Sequence, residues 1–203
     1  MVVNIYYEVP TWNQIYEMLL SQAQKIQSKN YKPDIIVGVA RGGIVPARIL
    51  TDLLETSELS FIQIEFYTDI NQTQMEPALK QPLATQIANK KVLLVDDIAD
   101  SGRSLKLAKN HLQQQGAIEI QTAVLYQKPQ STTTPNFFEK RTTHWIVFPW
   151  DTKETIRRII QRQGGKKAAN NEVSKLIKAG LSEQVAEKLL KDVQQGTGTC
   201  FNT

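Results

Sequence analysis

Apolar positions along the chain follow two periods, one typical of helices and one typical of strands. Residues 11–28 repeat apolar side chains at helical spacing, and Thr11 with Gln14 matches a Thr-x-x-Gln capping box. Strands are predicted from short apolar or alternating runs at residues 34–39, 60–66, 91–95 and 118–126. Further helices are predicted at residues 44–54, 104–115 and 151–163. This alternation predicts an α/β protein with parallel βαβ units.

Two long connections interrupt this alternation. Residues 67–90 are polar, contain two prolines and lack a clear period, which is typical of a functional lid or a disordered segment. Residues 127–142 are predicted to form a second loop, which precedes the aromatic segment HWIVFPWD. The ligand site of a parallel sheet lies beyond the carboxyl ends of its strands, so the loops there are the first places to search for chemistry.

The C-terminal part has a different pattern. Gly164 and Gly165, followed by KKAANN, are predicted to form a linker. Apolar residues within 168–195 then indicate two short amphipathic helices separated at Gly180, and we expect this hairpin to pack on the body or on a partner subunit. The predicted domains are residues 1–163 and residues 164–203, the latter ending in a mobile tail.

Composition narrows the class of protein. Hydrophobic residues make up 41% and charged residues 22% of the 203 residues, as in globular proteins, and the formal charge of +4 is spread along the chain. We therefore expect no membrane partner and do not favour a nucleic-acid partner. The N-terminus lacks the pattern of a signal peptide, and Cys200 is the single cysteine, so we expect a cytoplasmic protein.

The segment VLLVDDIADSGRSL carries the most specific chemistry. Asp96 and Asp97 follow an apolar run, and buried carboxylates are costly unless they meet hydrogen-bond donors or cations. The hydroxyls of a sugar and a bound Mg²⁺ would both meet this need. Next come Gly102, two serines and a helix N-terminus, a combination that favours a phosphate monoester. A ribose 5-phosphate would satisfy both halves of the segment.

This segment resembles the phosphoribosyl-pyrophosphate (PRPP) signature of the type I phosphoribosyltransferases, closest to the xanthine–guanine and hypoxanthine branch. The resemblance implies that Asp96 and Asp97 bind the ribose hydroxyls. Asp100, in the position of an aspartate that faces N7 of the base in purine-specific members, would be catalytic. The 5-phosphate would be bound by Asp100, Ser101, Gly102, Arg103 and Ser104.

A second segment, VGVARGGIVPARIL, is similar to the pyrophosphate loop of the same branch. Gly42 and Gly43 would let backbone N–H groups converge on phosphate oxygens, and Arg41 would add positive charge. Relatives usually have serine where this chain has Ala40. The family often has a cis peptide before the arginine, so the resemblance implies one between Ala40 and Arg41.

The purine pocket is also implied by the resemblance. Lys128 matches a lysine that donates to the 6-oxo group of the base, a second catalytic role. Trp145 and Ile146 match the aromatic and aliphatic residues that bind the purine, and Asp151 matches an acidic residue near the metal. Mg²⁺ is the implied cofactor, with Asp96, Asp97 and Asp151 as its candidate carboxylates.

Taken over residues 11–160, these segments occur in family order. The implied fold is α/β, a parallel-sheet type I phosphoribosyltransferase core with a small hood and a short C-terminal helical extension. The implied reaction converts a free 6-oxopurine and PRPP into a nucleoside 5′-monophosphate and pyrophosphate in purine salvage, by a dimer or tetramer. Within the lid 67–90, Tyr67 and Lys80 are candidates for phosphate contacts.

Two alternatives stay open at this point. An adenine-specific enzyme could use the same scaffold, although the 6-amino group of adenine opposes a charged Lys128. A PRPP-sensing regulator could keep the fold and bind nucleic acid through the basic surface and the C-terminal helices. The retained Asp100, Lys128 and Trp145 favour the enzyme, and an assay of each purine with PRPP separates the three possibilities.

Overall fold

A computed structural model describes residues 5–67, 76–163 and 166–195. The chain divides into two compact units. The sheet unit comprises residues 15–143, and the terminal unit comprises the described residues of 1–14 and 144–203. The predictions for the mobile tail and for Cys200 lie outside the described residues.

In its described residues, the sheet unit contains six strands and most of three helices. Its elements are α1 (Trp12–Ser28, which begins in the terminal unit), β2 (Ile35–Ala40), α2 (Ile44–Leu53), β3 (Glu58–Tyr67), β4 (Glu76–Gln81), β5 (Lys91–Ala99), α3 (Arg103–Gln114), β6 (Glu119–Gln127) and β7 (Phe137–Arg141). The strands form one sheet in the order β4-β3-β2-β5-β6-β7, and all neighbours are parallel except β3 and β4. The predicted α/β class with a parallel sheet is confirmed.

The strand order reverses direction between β2 and β5. The chain runs outward from β2 to β3 on one side and outward from β5 to β6 on the other. Such a switch point opens a crevice beyond the carboxyl ends of the two central strands. ARGG lies at the carboxyl end of β2 and the acidic pair lies near the carboxyl end of β5, so the fold places them at this crevice.

One face of the sheet is held by a continuous apolar cluster. Its fully buried members come from alternate positions of the central strands and from α3 and include Ile35, Val37, Val92, Leu94, Ala108 and Leu112. On α1, the buried amide of Gln22 donates through Nε2 to the carbonyl of Val124 on β6, 2.7 Å away. The apolar cluster and this hydrogen bond from α1 therefore stabilise the positions of β5 and β6 in the sheet.

Two predicted loops contain edge strands. The predicted lid 67–90 includes β4, which pairs antiparallel with β3, and the predicted loop 127–142 includes β7, which pairs parallel with β6. Both predictions were wrong in these parts because each strand is only partly buried, lacks the apolar period of a central strand, and gains its hydrogen bonds from a single neighbour. Pro77 also argued against a strand, yet an edge strand tolerates a missing donor.

The strand of the VLLVDDIADSGRSL segment is longer than the prediction of 91–95. It extends to Ala99, so Asp96 and Asp97 lie within the strand rather than after it. Pairing with β6 continues through Ala99 and Gln127, which supplies the backbone hydrogen bonds that extend the strand.

The terminal unit contains a two-stranded parallel sheet and three helices. These are β1 (Tyr7–Glu8), β8 (Trp145–Ile146), α4 (Thr152–Gln163), α5 (Lys166–Lys178) and α6 (Glu183–Gln195). Thr11 and Gln14 form the predicted capping box through both reciprocal hydrogen bonds, at 2.8 and 3.2 Å. The two predicted C-terminal helices are confirmed, and Gly180 lies between them with a φ of 117°.

The predicted linker KKAANN is instead the beginning of α5. Packing explains this difference: Ala169 and Leu176 on α5 are buried in one apolar cluster with Val147 and with Ile156 on α4. The hairpin therefore contributes to the core of the unit that carries the HWIVFPWD segment. Among the helices of the described residues, none is long and apolar enough to cross a membrane.

Candidate active site

The crevice at the switch point opens where β2 and β5 separate. Their pairing ends at Gly38 and Val95, after which β5 pairs only with β6. The turn after β2 fills the space: the Gly43 N–H donates to the Val39 carbonyl at 2.8 Å. A β-carbon on Gly43 would collide with the backbone carbonyl of Val95, so only glycine allows the turn this close to β5.

Gly42 brings the predicted pyrophosphate loop against the acidic pair. A β-carbon at Gly42 would lie 2.5 Å from Cγ and 2.6 Å from Oδ1 of Asp97. The peptide bond between Ala40 and Arg41 is cis, as the resemblance implied. Arg41 is exposed at the start of this turn. Two segments more than fifty residues apart in the sequence therefore share one edge of the sheet.

Both carboxylates of the acidic pair are buried, each with 9% of its surface exposed. Burial raises the pKa of Asp96 well above its usual range, and the neighbouring charge of Asp97 raises it further. Asp96 Oδ1 accepts a hydrogen bond of 2.9 Å from the Asp97 N–H, which favours the charged form but does not offset the other two effects. Hydroxyl donors or a cation would relieve this electrostatic cost.

The predicted phosphate loop, residues 100–104, connects β5 to α3. Gly102 has a φ of 77°, in the left-handed region that favours glycine, and precedes the first residue of α3. Its carbonyl accepts the Lys106 N–H at 3.0 Å, which begins the helix. Ser101 and Ser104 are half-buried on either side. Glycine, hydroxyls and a helix N-terminus form the surroundings that favour a phosphate monoester.

Arg103 and Lys80, both candidates for phosphate contacts, have carboxylate partners on β4 and β3, respectively. Arg103 Nη1 donates to Glu76 on β4 at 3.0 Å, and the guanidinium lies 6.0 Å from the Phe66 ring. Lys80 Nζ donates to Glu65 at 2.6 Å. The third candidate, Tyr67, ends β3, and its side chain lies outside the part of the chain that the structure describes.

The two predicted catalytic residues follow neighbouring strands. Asp100 comes directly after β5 and Lys128 directly after β6, and the Lys128 N–H donates to the Ala99 carbonyl at 3.0 Å. Lys128 is buried, with 7% exposed, whereas Asp100 is exposed. Asp100 Oδ1 accepts a 2.9 Å hydrogen bond from Nε2 of Gln130. One backbone hydrogen bond thus joins the segment that bears the Asp100 carboxylate to the segment that bears the Lys128 ammonium.

The remaining candidates lie in the terminal unit. Trp145 and Ile146 form β8, whose pairing with β1 includes a 2.8 Å hydrogen bond from the Trp145 N–H to the Tyr6 carbonyl. The indole of Trp145 is 38% exposed, and the guanidinium of Arg162 lies 5.7 Å from its ring centroid. Asp151 is half-buried before α4, and its carbonyl accepts the Thr155 N–H at 2.9 Å.

The structure thus gathers most of the predicted site in one unit. At the carboxyl edge of its sheet the sheet unit holds Ala40, Arg41, Gly42, Gly43, Asp96, Asp97, Asp100, Ser101, Gly102, Arg103, Ser104 and Lys128. Trp145, Ile146 and Asp151 share the terminal unit. Sequence reasoning missed Gln130, Thr132 and Thr133, which hydrogen-bond to the phosphate loop. The only signal was the polar run QSTTT, which is indistinguishable from an ordinary surface loop.

The described residues contain no group of three or more histidine, cysteine or acidic side chains that could hold a metal ion by themselves. Asp96 and Asp97 nevertheless fit Mg²⁺, because this ion is usually bound by one or two carboxylates together with substrate phosphates.

An open sheet with a switch-point crevice, an acidic pair and a glycine-containing loop before a helix is typical of α/β proteins that bind sugar phosphates. Residues 11–157 match the family model of the phosphoribosyl transferase domain, and the chain belongs to this family. The predicted family and enzyme class, a phosphoribosyltransferase, are confirmed.

This chain matches known phosphoribosyltransferases over most of their length. The chain is 27% identical to a xanthine-guanine phosphoribosyltransferase of Gluconobacter oxydans, over 73% of this chain and 86% of the relative. It is 30% identical to the protein of the same name from Nitratidesulfovibrio vulgaris, over 70% and 83%. The crystal structure of a purine phosphoribosyltransferase from Pyrococcus horikoshii is 34% identical, with a TM-score of 0.65 over 72% of this chain and 94% of that one.

Proposed function

We propose that this enzyme converts a free 6-oxopurine and PRPP into a nucleoside 5′-monophosphate and pyrophosphate, in purine salvage. The observation that carries the proposal is the convergence of four groups at one sheet edge: the ARGG turn, the acidic pair, the phosphate loop and Lys128. The names of the relatives, xanthine-guanine phosphoribosyltransferase and purine phosphoribosyltransferase, support the choice of a purine.

The ribose 5-phosphate would be bound by two adjacent elements. The carboxylates of Asp96 and Asp97 accept hydrogen bonds from the two ribose hydroxyls, which relieves the cost of their burial. The amide groups and hydroxyls of residues 100–104 bind the 5-phosphate at the N-terminus of α3. Fixing the sugar at both ends holds its anomeric carbon in one position for attack.

Pyrophosphate would leave toward the ARGG turn. Negative charge develops on this group as the bond between the anomeric carbon and the pyrophosphate oxygen breaks, and Arg41 with the amide of Gly42 would stabilise it, since the Gly43 N–H already donates to the Val39 carbonyl. Asp96 and Asp97 are the residues that would hold Mg²⁺ together with oxygens of PRPP. The metal supplies further stabilisation of the negative charge on the leaving group.

The base would be bound through Lys128, Trp145 and Ile146. In the sheet unit, Lys128 would donate to the 6-oxo group, and Asp100 would accept the proton from N7 as N9 attacks the anomeric carbon. Stacking of Trp145 on the purine ring stays a prediction from the family resemblance. The role of Asp151 as a carboxylate near the metal likewise stays a prediction from the family resemblance. The predicted lid, residues 67–90, would exclude water, since water is the competing nucleophile.

Product identification tests the proposal. The protein is incubated with PRPP, Mg²⁺ and each of guanine, hypoxanthine, xanthine and adenine, and the nucleotide formed is identified by mass. A 6-oxopurine nucleotide is expected, and formation of AMP alone would contradict the assignment of Lys128. Absence of turnover with all four bases, together with salt-sensitive binding of DNA or RNA, would favour the regulator instead.

Four expectations accompany this proposal. We expect a dimer or tetramer, measured by light scattering, and a cytoplasmic location, measured by cell fractionation. The proposed domain boundary follows residue 163, and limited proteolysis within residues 160–168 would support it. The Asp100→Asn variant should lower kcat by about 10²–10⁴-fold, and an unchanged kcat would remove its role in proton transfer.

A further inference from the structure

The loop after Lys128 makes direct hydrogen bonds to the backbone of the phosphate loop. Thr132 donates twice to the Ser101 carbonyl, from its N–H at 3.0 Å and from Oγ1 at 2.9 Å. Thr133 Oγ1 donates to the Gly102 carbonyl at 3.1 Å. Three hydrogen bonds from two consecutive threonines therefore fix two consecutive peptide groups of the phosphate loop.

The threonine loop also packs tightly on Gly102. A β-carbon on this glycine would lie 2.7 Å from Ser131 Oγ and 2.7 Å from the Thr133 nitrogen. The loop itself is held in place, because Ser131 donates from its N–H to the Lys128 carbonyl and from Oγ to the Thr133 carbonyl, at 3.0 and 2.8 Å. One side of the phosphate loop is thus covered by protein.

The direction of the remaining amide groups follows from peptide geometry. A trans peptide is planar, and its C=O and N–H point in opposite directions. When Thr132 and Thr133 hold the carbonyls of Ser101 and Gly102, the N–H groups of the same two peptides point away from the threonine loop. These N–H groups belong to Gly102 and Arg103, at the N-terminus of α3, where the Arg103 N–H makes one long hydrogen bond, of 3.4 Å, to Oγ of Ser101 within the same loop.

We infer that Thr132 and Thr133 are positioning residues for the phosphate loop, which aim the amides of Gly102 and Arg103 at the phosphate monoester of the substrate. This inference rests on the proposed function and adds to it a part of the chain outside the PRPP motif. The two hydroxyls touch protein rather than substrate, so they act on binding through the orientation of the loop backbone.

The test replaces both hydroxyls by methyl groups of the same shape. The double variant Thr132→Val/Thr133→Val keeps the backbone hydrogen bond of Thr132 and loses both side-chain donors. We expect KM for PRPP to rise about 2- to 10-fold for each lost hydrogen bond, with kcat and the KM for the purine unchanged. Binding of the 5-phosphate is equal in the ground and transition states, so kcat is spared.

Two controls separate positioning from a general effect on structure. Thr132→Ser/Thr133→Ser keeps the hydroxyls and should retain the affinity for PRPP. Thr134→Val alters the next threonine, which is exposed and makes no hydrogen bond to the phosphate loop in the described part of the chain, and should leave both KM values unchanged. Urea unfolding of every variant verifies that each is folded.

The outcomes are distinguishable from failure of the proposed function. An unchanged KM for PRPP in the folded double valine variant, an equal loss in the serine variant, or an equal rise in the purine KM would each overturn the inference. If the unaltered protein has no turnover, ribose 5-phosphate is titrated while the amide resonances of Gly102 and Arg103 are followed. Shifts that weaken in the double valine variant would support positioning, and absence of shifts in the unaltered protein would refute it.

Discussion

Substitution of Gly42 by alanine tests whether the ARGG turn and the acidic pair form one site. The new β-carbon would lie 2.5–2.6 Å from Cγ and Oδ1 of Asp97, about 0.8–0.9 Å inside the 3.4 Å at which ordinary contact begins. Asp97 is buried and the turn is enclosed by β5, so the carboxylate or the turn must move by most of an ångström. Overpacking of this kind costs about 1–3 kcal/mol of folding free energy.

The same displacement should reduce catalysis. A misplacement of about 1 Å in groups that position a substrate costs on the order of 10²-fold in rate. We therefore expect kcat/KM for PRPP to fall about 100-fold in Gly42→Ala, which corresponds to about 2.7 kcal/mol of transition-state stabilisation.

A double-mutant cycle assigns this cost to the contact. Urea unfolding gives the free energies of unfolding of the unaltered protein, Gly42→Ala, Asp97→Ala and the double variant. If the collision with the carboxylate is the cause, Gly42→Ala should cost about 1–3 kcal/mol less once Asp97 is alanine. The effect of alanine on the unfolded chain is the same in both backgrounds and cancels. Additivity within about 0.5 kcal/mol would refute the reasoning.

Three further predictions follow from single groups. Leu176→Ala removes a fully buried side chain of α5 and should lower the free energy of unfolding by about 2–5 kcal/mol. The exposed control Lys178→Ala should change this free energy by less than about 0.5 kcal/mol. Similar losses in the two variants would place α5 outside the core. Burial raises the pKa of the Tyr31 phenol, whose hydroxyl donates to the Val92 carbonyl at 2.8 Å. Its stabilisation is therefore complete below the ordinary pKa of about 10 and is lost as pH rises above it. Tyr31→Phe should be less stable at pH 7 by about 1–2 kcal/mol and should lose less stability than the unaltered protein between pH 9 and 11; parallel pH profiles would contradict this. Lys128→Ala should raise the KM for guanine or hypoxanthine while sparing PRPP affinity, and equal losses for both substrates would argue against base recognition.

Local signals in the sequence were enough to predict the chemistry of the phosphate loop and the acidic pair. Two aspartates at the end of an apolar run must meet donors or cations, and a glycine between hydroxyl residues before a helix favours an anion. The capping box of Thr11 and Gln14 was predictable for the same reason, because both hydrogen bonds join residues three apart. In each case the residues that interact are close in the chain.

Partners distant in the sequence decided the rest. β4 and β7 are strands because β3 and β6 offer them free edges, and neither segment has the apolar period of a central strand. The pattern of residues 168–195 predicted two helices, but only the fold shows that they share buried core with α4 and Val147.

The candidate site shows most clearly what the sequence determines and what the tertiary structure determines. The sequence by itself determined which residue types could bind ribose, phosphate and Mg²⁺, because that chemistry belongs to the side chains and to their local backbone. Only the tertiary structure decided that Gly42 lies against Asp97 and that Thr132 and Thr133 hold the phosphate loop. These contacts depend on the order and register of strands, which hydrogen bonds and packing between distant segments select.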